Sequence, residues 1–158
     1  MRGYFGIGIE NGKTELNLGT LWRSAFIFGA SFIFTVGQRY KKQSSDTVCA
    51  WRHIPLYRYK SIDELNVPYD CPLIGIEIDS RATGIENFTH PQRALYLLGA
   101  EDSGLSERAI KRCSKLVVLP GEYCLNVAVA GSVVMYDRHL KVNRGAGFKT
   151  KDNQVGVI

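Results

Sequence analysis

Short apolar runs alternate with amphipathic helical segments along this chain, and this alternation constrains the fold more than any other feature. Runs such as residues 4–9 and 73–78 are apolar almost throughout, which is typical of parallel strands covered on both faces. The sequence therefore predicts an α/β fold: a mostly parallel sheet with helices on both faces. Strands are predicted at residues 4–9, 32–36, 56–59, 73–78, 94–98 and 116–119, and helices at 18–29, 106–112 and 125–140.

Local signals predict where several of these elements begin and end. Gly29 is expected to end the first helix, and Ser106 to cap the helix that follows it. Ser61 and Glu64 have the spacing of a capping box, which predicts a short helix there. Residues 79–91 are expected to be mostly loop.

The length and charge of the chain narrow the class of protein. A chain of 158 residues suits one domain, and Lys+Arg 20 against Asp+Glu 15 gives a net charge of +5, which favours a polyanionic partner. Six basic residues lie between positions 38 and 60, and five between 138 and 151, so the two segments can form one phosphate-binding face or be separate solvated segments. Arg39, Lys41, Lys42 and Arg52 of the first segment are the RNA-binding candidates.

Several classes of protein are excluded or disfavoured. The apolar stretch at residues 25–36 is too short to cross a bilayer, and the start of the chain is unlike a secretory signal. The four cysteines lack zinc-ligand spacing, so no metal is predicted, and reduced thiols indicate a cytoplasmic protein. Gly6 and Gly8 imitate a dinucleotide-binding motif, but they lie inside a strand and Asn11 stands where its third glycine belongs.

Three segments place polar residues or glycines at strand–helix junctions, where open α/β sheets bind their ligands. They are Asn17-Leu-Gly19-Thr-Leu-Trp-Arg23-Ser-Ala25, Gly99-Ala-Glu101-Asp-Ser-Gly104-Leu-Ser106 and Cys124-Leu-Asn126-Val-Ala128-Val-Ala130. In this order they resemble the motifs of the SpoU (TrmH-like) family within the SPOUT class of RNA methyltransferases, over roughly residues 4–139. Phe88-Thr-His90-Pro91 stands ahead of the second motif, where the family often has a similar pair.

The resemblance implies an S-adenosylmethionine-dependent enzyme that methylates a ribose 2′-hydroxyl of tRNA or rRNA. It also implies a homodimer, a C-terminal trefoil knot, a catalytic domain at residues 1–140 and a basic polar tail at 141–158. The implied catalytic residues are Asn17, Arg23, Glu101 and Asn126. The implied cofactor contacts are Ile78, Gly99, Glu101, Gly104, Leu119, Cys124 and Leu125.

Elementary chemistry leaves alternatives for individual residues. Arg23 suits a phosphate clamp better than a general base, because a guanidinium stays protonated. Asn17 is better explained as a helix cap than as a substrate contact, and Asn126 fits a cap, a donor-pocket contact or both. Glu101 either holds Asn17 or Arg23 by a hydrogen bond or is an exposed loop carboxylate.

Two departures from the third motif keep other functions open. Cys124 and Ala128 stand where the family has serines, which favours an RNA-binding protein of the same fold without turnover as the alternative. A small-molecule α/β enzyme with incidental basic segments is a third possibility.

Overall fold

Residues 3–40 and 50–142 are described by the structure, a computed structural model. Seven strands form one sheet in the order β3-β2-β1-β6-β4-β7-β5, and every pairing is parallel. The strands are β1 (Tyr4–Glu10), β2 (Phe32–Val36), β3 (Leu56–Tyr59), β4 (Leu73–Ile76), β5 (Thr83–Gly84), β6 (Arg93–Leu98) and β7 (Lys115–Val118). The α-helices are α1 (Glu15–Phe28), α2 (Glu107–Arg112) and α3 (Val127–Val142), with single 3-10 turns at Ala50–Arg52, Ile62–Glu64 and Ile85–Asn87.

Helices cover both faces of the sheet, which confirms the predicted fold class. Leu21 of α1 and Val134 of α3 pack with strand residues such as Ile7 on one face. On the other face, Ala109 of α2 and Ile62 pack against a second set of strand residues. In the described ranges, no helix combines the length and apolar character needed to cross a membrane.

The two glycines of β1 serve strand packing. A Cβ atom on Gly6 would lie 2.6 Å from Cζ of Phe32, and one on Gly8 would lie 2.5 Å from Cδ2 of Phe34. The aromatic rings of β2 occupy the space that side chains at these positions would need, so the glycines are explained without a ligand.

Helix α1 begins three residues earlier than predicted. Thr14 is its N-cap and accepts a hydrogen bond from the backbone N–H of Asn17 at 3.4 Å, so the interpretation of Asn17 as a cap is wrong. Gly29 ends the helix as predicted, in the left-handed conformation with φ 76°.

Two predicted elements differ from the structure for local reasons. Strand β4 ends at Ile76, because the Glu77 side chain accepts the N–H of Ile78, which therefore pairs with no neighbouring strand. The predicted capping box is wrong: Ser61 makes no side-chain cap, and Glu64 accepts the N–H of Lys60 at 3.2 Å instead. The two-residue strand β5, on the sheet edge within the predicted loop, was missed.

Helix α3 is fixed to the preceding loops by two cations of the predicted basic segment. Arg138 is 3% exposed and donates to the carbonyl oxygens of Pro91 and Gln92, the latter at 2.7 Å. Lys141 pairs with Asp137 at 2.8 Å and donates to the carbonyl oxygens of residues 85, 86 and 88. These two cations of the second basic segment therefore bind backbone carbonyl oxygens of residues 85–92 within the fold.

A buried histidine completes this connection. Nδ1 of His90 lies 2.6 Å from the Tyr96 hydroxyl, and Nε2 lies 2.8 Å from Oδ2 of Asp137 on α3. Burial lowers the pKa of His90, although Asp137 acts in the opposite direction. The trefoil knot and the division at residues 140 and 141 remain predictions of the resemblance.

Candidate active site

A crevice of about 380 Å³ opens at the carboxyl ends of β4, β6 and β7, where an open parallel sheet binds its ligands. Three loops surround it, at residues 77–78, 99–104 and 119–125, and the start of α3 closes one side. Every residue predicted to contact the cofactor lines it: Ile78, Gly99, Glu101, Gly104, Leu119, Cys124 and Leu125.

The loop at residues 99–104 is a tight turn whose glycines are required by the backbone itself. Ala100 and Gly104 exchange two backbone hydrogen bonds, at 3.2 and 2.9 Å, and Gly104 has φ 64°. A Cβ atom on Gly99 would collide with the backbone of Gly104. The two glycines thus shape the turn that presents Glu101 to the crevice.

Two carboxylates that sequence reasoning missed hold this turn in place. Glu77 accepts the N–H of Leu105 at 2.6 Å. Glu10, 3% exposed at the end of β1, accepts both the N–H of Ser106 at 2.8 Å and its hydroxyl at 2.7 Å. Ser106 in turn caps α2 as predicted, through the N–H of Ala109. A charged residue at the end of an otherwise apolar strand was the available signal for both carboxylates.

Asn17, Glu101 and Asn126 form a hydrogen-bonded array at the edge of the crevice. The Asn17 amide donates to the Glu101 carboxylate, and the Asn126 amide donates to Oδ1 of Asn17 at 3.0 Å. The other end of Asn126 caps α3 by accepting the N–H groups of Ala128 and Val129. The array therefore joins three of the four predicted catalytic residues, which are separated by 84 and 109 positions along the chain.

Arg23 is the fourth candidate, and the structure leaves it apart from the array. Six residues along α1 turn its side chain by about 120° around the helix axis relative to Asn17. It is exposed, it does not line the crevice, and it makes no hydrogen bond or ion pair with another described residue. Its guanidinium is free to bind a ligand from solvent.

The charge of the crevice favours a cationic ligand. Glu77, Glu101 and Asp102 line it, whereas no lysine, arginine or histidine does so among the described residues. Arg39 lies outside and makes two bonds to Asp102, at 3.1 and 2.7 Å, and Lys13 pairs with the same carboxylate at 2.9 Å. These partners, Arg39 first, lower the pKa of Asp102 and keep it ionised.

The remaining predicted RNA-binding residues occupy different surroundings. Arg39 is partly neutralised by Asp102, which brings the start of the first basic segment to the rim of the crevice. Arg52 is exposed, with its guanidinium carbon 5.0 Å from the centre of the Trp51 ring. Lys41 and Lys42 lie outside the described residues.

The crevice fits S-adenosylmethionine in size, polarity and charge. Its volume lies within the range of about 300–1,000 Å³ that is usual for small-molecule sites. Ile78, Leu119 and Leu125 provide an apolar wall for an adenine ring, and the carboxylates suit a ligand that carries a sulfonium and an ammonium group.

Comparison with solved structures shows which class of fold this chain adopts. The SpoU methyltransferase AviRb from Streptomyces viridochromogenes has a TM-score of 0.78 at 21% identity, over 91% of this chain and 62% of that one. AviRb in complex with AdoMet gives 0.79 at 22% identity, over 92% and 63% of the two chains. A structure that addresses 2-OH methylation of C/U34 on tRNA gives 0.79 at 17% identity, over 91% and 99%. This chain spans about 62% of the length of AviRb. The fold is therefore that of the SPOUT methyltransferases, as predicted.

A match between the sequence and a family model shows to which family the chain belongs. The model of the SpoU rRNA methylase family matches residues 5–136, and the chain belongs to this family. No curated protein sequence matches the chain. Family membership confirms the resemblance to the SpoU family that the three motifs predicted.

Proposed function

We propose that this protein transfers a methyl group from S-adenosylmethionine to a ribose 2′-hydroxyl of tRNA or rRNA. The observation that carries the proposal is the array of Asn17, Glu101 and Asn126 beside an acidic crevice of suitable size. The structure similar to this chain that concerns 2-OH methylation on tRNA supports the ribose as the acceptor.

Some residues are proposed to hold the methyl donor, and others to orient the acceptor ribose. When bound, S-adenosylmethionine supplies an electrophilic methyl group. Ile78, Leu119 and Leu125 would hold its adenine, and Glu101 would face its positive charge. Asn17 and Asn126 have fixed amide groups at the edge of the crevice, where they can orient a ribose. In the transfer, a bond would form between the 2′-oxygen and the methyl carbon while the carbon–sulfur bond breaks. The bonding pair would stay on sulfur, and the hydroxyl proton would leave to water.

Arg23 is the proposed phosphate clamp. Its guanidinium is exposed and pairs with no other residue that the structure describes, and a fork of donors matches a phosphate in two-point geometry. Arg39, at the rim of the crevice, and the exposed Arg52 are proposed to bind further phosphates of the RNA. Lys41 and Lys42, of the same basic segment of the sequence, are proposed to bind RNA as well.

An apolar stripe on α3 supports the homodimer. Val129, Val133, Tyr136 and Leu140 are 47%, 38%, 49% and 40% exposed, and their spacing places them along one side of the helix. We expect Val133→Asp to convert a dimer into a monomer in light scattering, whereas Tyr69→Asp, at a 93% exposed position, leaves the mass unchanged. A wild-type protein that is monomeric at all concentrations would exclude the dimer.

We propose the cytoplasm as the site of action. Cys71, Cys113 and Cys124 are free thiols, which suits a reducing compartment, and the RNA substrates of the family are present there.

The decisive experiment identifies the methylated group. Purified protein, S-adenosylmethionine labelled in its methyl group and total tRNA or rRNA are incubated, and the RNA is then hydrolysed in alkali. A 2′-O-methyl ribose blocks cleavage of the adjacent phosphodiester, so the label is expected in alkali-resistant dinucleotides. Label in alkali-released mononucleotides would assign methylation to a base and overturn the ribose proposal.

A matched pair of variants tests the array. Asn17→Ala removes the group that joins Glu101 to Asn126 and is expected to lower kcat by about a hundredfold, the cost of small misplacement at a reacting centre. Thr20→Ala changes an exposed residue of the same helix and is expected to retain wild-type activity.

One observation favours the alternative of an RNA-binding protein without turnover. Cys124 is exposed on the crevice wall, and a thiol donates hydrogen bonds more weakly than the serine of the family motif. This alternative predicts RNA affinity without label transfer in the wild type, with transfer gained in Cys124→Ser.

A further inference from the structure

Tyr123 is an aromatic side chain that neither the motifs nor the array uses. It lines the crevice from the loop at residues 119–125, and it is the only aromatic residue that does so in the part of the chain that the structure describes. Its side chain is 87% exposed, and it makes no hydrogen bond, ion pair or ring contact with another described residue. A large ring thus lies on the crevice wall, and no contact within residues 3–40 and 50–142 explains its position.

Two planar ring systems can stack on Tyr123: the adenine of the cofactor and the base of the substrate nucleotide. The position of Tyr123 in the crevice distinguishes between them. The deeper wall of the crevice, with Leu98 at 2% exposure and Ile76 at 9%, belongs to the interior where a cofactor would be enclosed. Tyr123 lies at the solvent side of the same crevice, three residues before Asn126 of the array. The hydrogen bonds of the array are exposed as well, so a nucleotide bound there and the Tyr123 ring are both reached from solvent.

The geometry points to Tyr123 as a stacking platform for the base of the nucleotide whose ribose is methylated. This inference rests on the proposed function and adds a substrate-contact residue to it. Aromatic side chains bind bases through their faces, with little dependence on base identity, and such stacking is typical of single-stranded RNA recognition. We therefore assign an unpaired nucleotide, in a loop or a single strand, as the substrate class.

The test uses RNA binding without turnover. A fluorescein-labelled single-stranded RNA of mixed sequence is titrated with the full-length protein in the presence of S-adenosylhomocysteine, at fixed salt concentration. Tyr123→Ala is expected to weaken binding by about fivefold to a hundredfold, the range for losing one stacked base. Tyr123→Phe keeps the ring and is expected to remain within about twofold of wild type. Tyr69→Ala is the matched control, because Tyr69 is 93% exposed and does not line the crevice.

Two further measurements locate the contact. With an abasic ribose-phosphate oligomer as the probe, wild type and Tyr123→Ala are expected to bind equally, since no base is present. Calorimetry with S-adenosylmethionine alone is expected to give the same affinity for both proteins.

Each opposite result overturns the inference. Unchanged RNA affinity in Tyr123→Ala would remove the stacking contact, and an equal loss with the abasic oligomer would assign the effect to the backbone. Weaker binding of S-adenosylmethionine would assign the ring to the cofactor, and a lower mass in light scattering would assign it to a subunit interface. If the wild type transfers no methyl group, the proposed function fails, while the binding titration still tests Tyr123.

Discussion

Glu10 offers the sharpest test of what holds the crevice together. Its carboxylate is 3% exposed and accepts two hydrogen bonds from Ser106, at 2.8 and 2.7 Å. Glu10→Gln keeps the shape but removes the charge, and only one of the two bonds keeps its direction: the amide oxygen accepts the Ser106 N–H, while the amide nitrogen must donate to the Ser106 hydroxyl oxygen. A bond to a charged group contributes about 1.5–3 kcal/mol, against about 1 kcal/mol for a neutral pair, so two bonds lose about 2 kcal/mol before relief of carboxylate desolvation.

We expect Glu10→Gln to lower the free energy of unfolding by about 1–2 kcal/mol after that relief. With an m value of about 2 kcal/mol/M, the midpoint of urea unfolding would fall by about 0.5–1 M. Glu122→Gln changes an exposed carboxylate and is expected to stay within about 0.5 kcal/mol of wild type. A Glu10→Gln variant as stable as wild type, or more stable, would refute the reasoning, because desolvation would then outweigh the two bonds.

A double-mutant cycle with Ser106→Ala locates the interaction. Ser106→Ala removes the hydroxyl bond to Glu10 and the cap of α2, but it leaves the backbone N–H in place. The coupling energy with Glu10→Gln is expected to reach about 0.5–2 kcal/mol, as for residues in direct contact. Additive effects would mean that Glu10 stabilises the fold through some other group.

Three more predictions follow from burial. Burial opposes protonation of His90 in the folded state, so the contribution of neutral His90 to stability is complete above its ordinary pKa of 6.5 and falls as the pH drops below that value. His90→Gln should make the free energy of unfolding less dependent on pH in urea melts between pH 7.5 and 5.5. An unchanged pH dependence would contradict this explanation. Burial raises the pKa of Cys113 to about 12, so iodoacetamide should modify the exposed Cys124 first, as peptide mass spectrometry can show. S-adenosylmethionine should slow the modification of Cys124. Equal rates with and without S-adenosylmethionine would exclude Cys124 from the binding crevice. Gly8→Ala should lower the free energy of unfolding by about 1–3 kcal/mol in urea melts, because the new Cβ atom would overlap Phe34. Gly19→Ala, with open space around it, should not lower the free energy of unfolding. Equal stabilities of the two variants would contradict the packing explanation.

Much of the fold could be predicted because its signals are local. Strand β2 is a buried run in which only Thr35 is polar, and Gly29 ends α1 in the left-handed conformation, which glycine adopts without the strain that a Cβ atom causes. The array was also predictable in outline, since the motif order placed Asn17, Glu101 and Asn126 at one edge of the sheet.

What escaped prediction depends on partners that are distant in sequence. Arg138 and Lys141 had the appearance of a solvated basic segment, and only the backbone acceptors of residues 85–92 explain why they are held against the fold. Asn17 is of a residue type that often caps helices, but its role follows from two residues that lie 84 and 109 positions away. Propensity describes a residue's own backbone, and it contains no information about such contacts.

The long sequence separation within the array has a consequence for biosynthesis. Asn126 stands at the start of the last helix, and its amide reaches Asn17 only after α3 docks against α1. Contacts of this range are slow to form, since a long intervening chain must be ordered first. A nascent chain on the ribosome therefore cannot complete the array until residues 127–142 have emerged, and an unfinished polypeptide lacks the paired amide groups that we propose for orienting an RNA ribose.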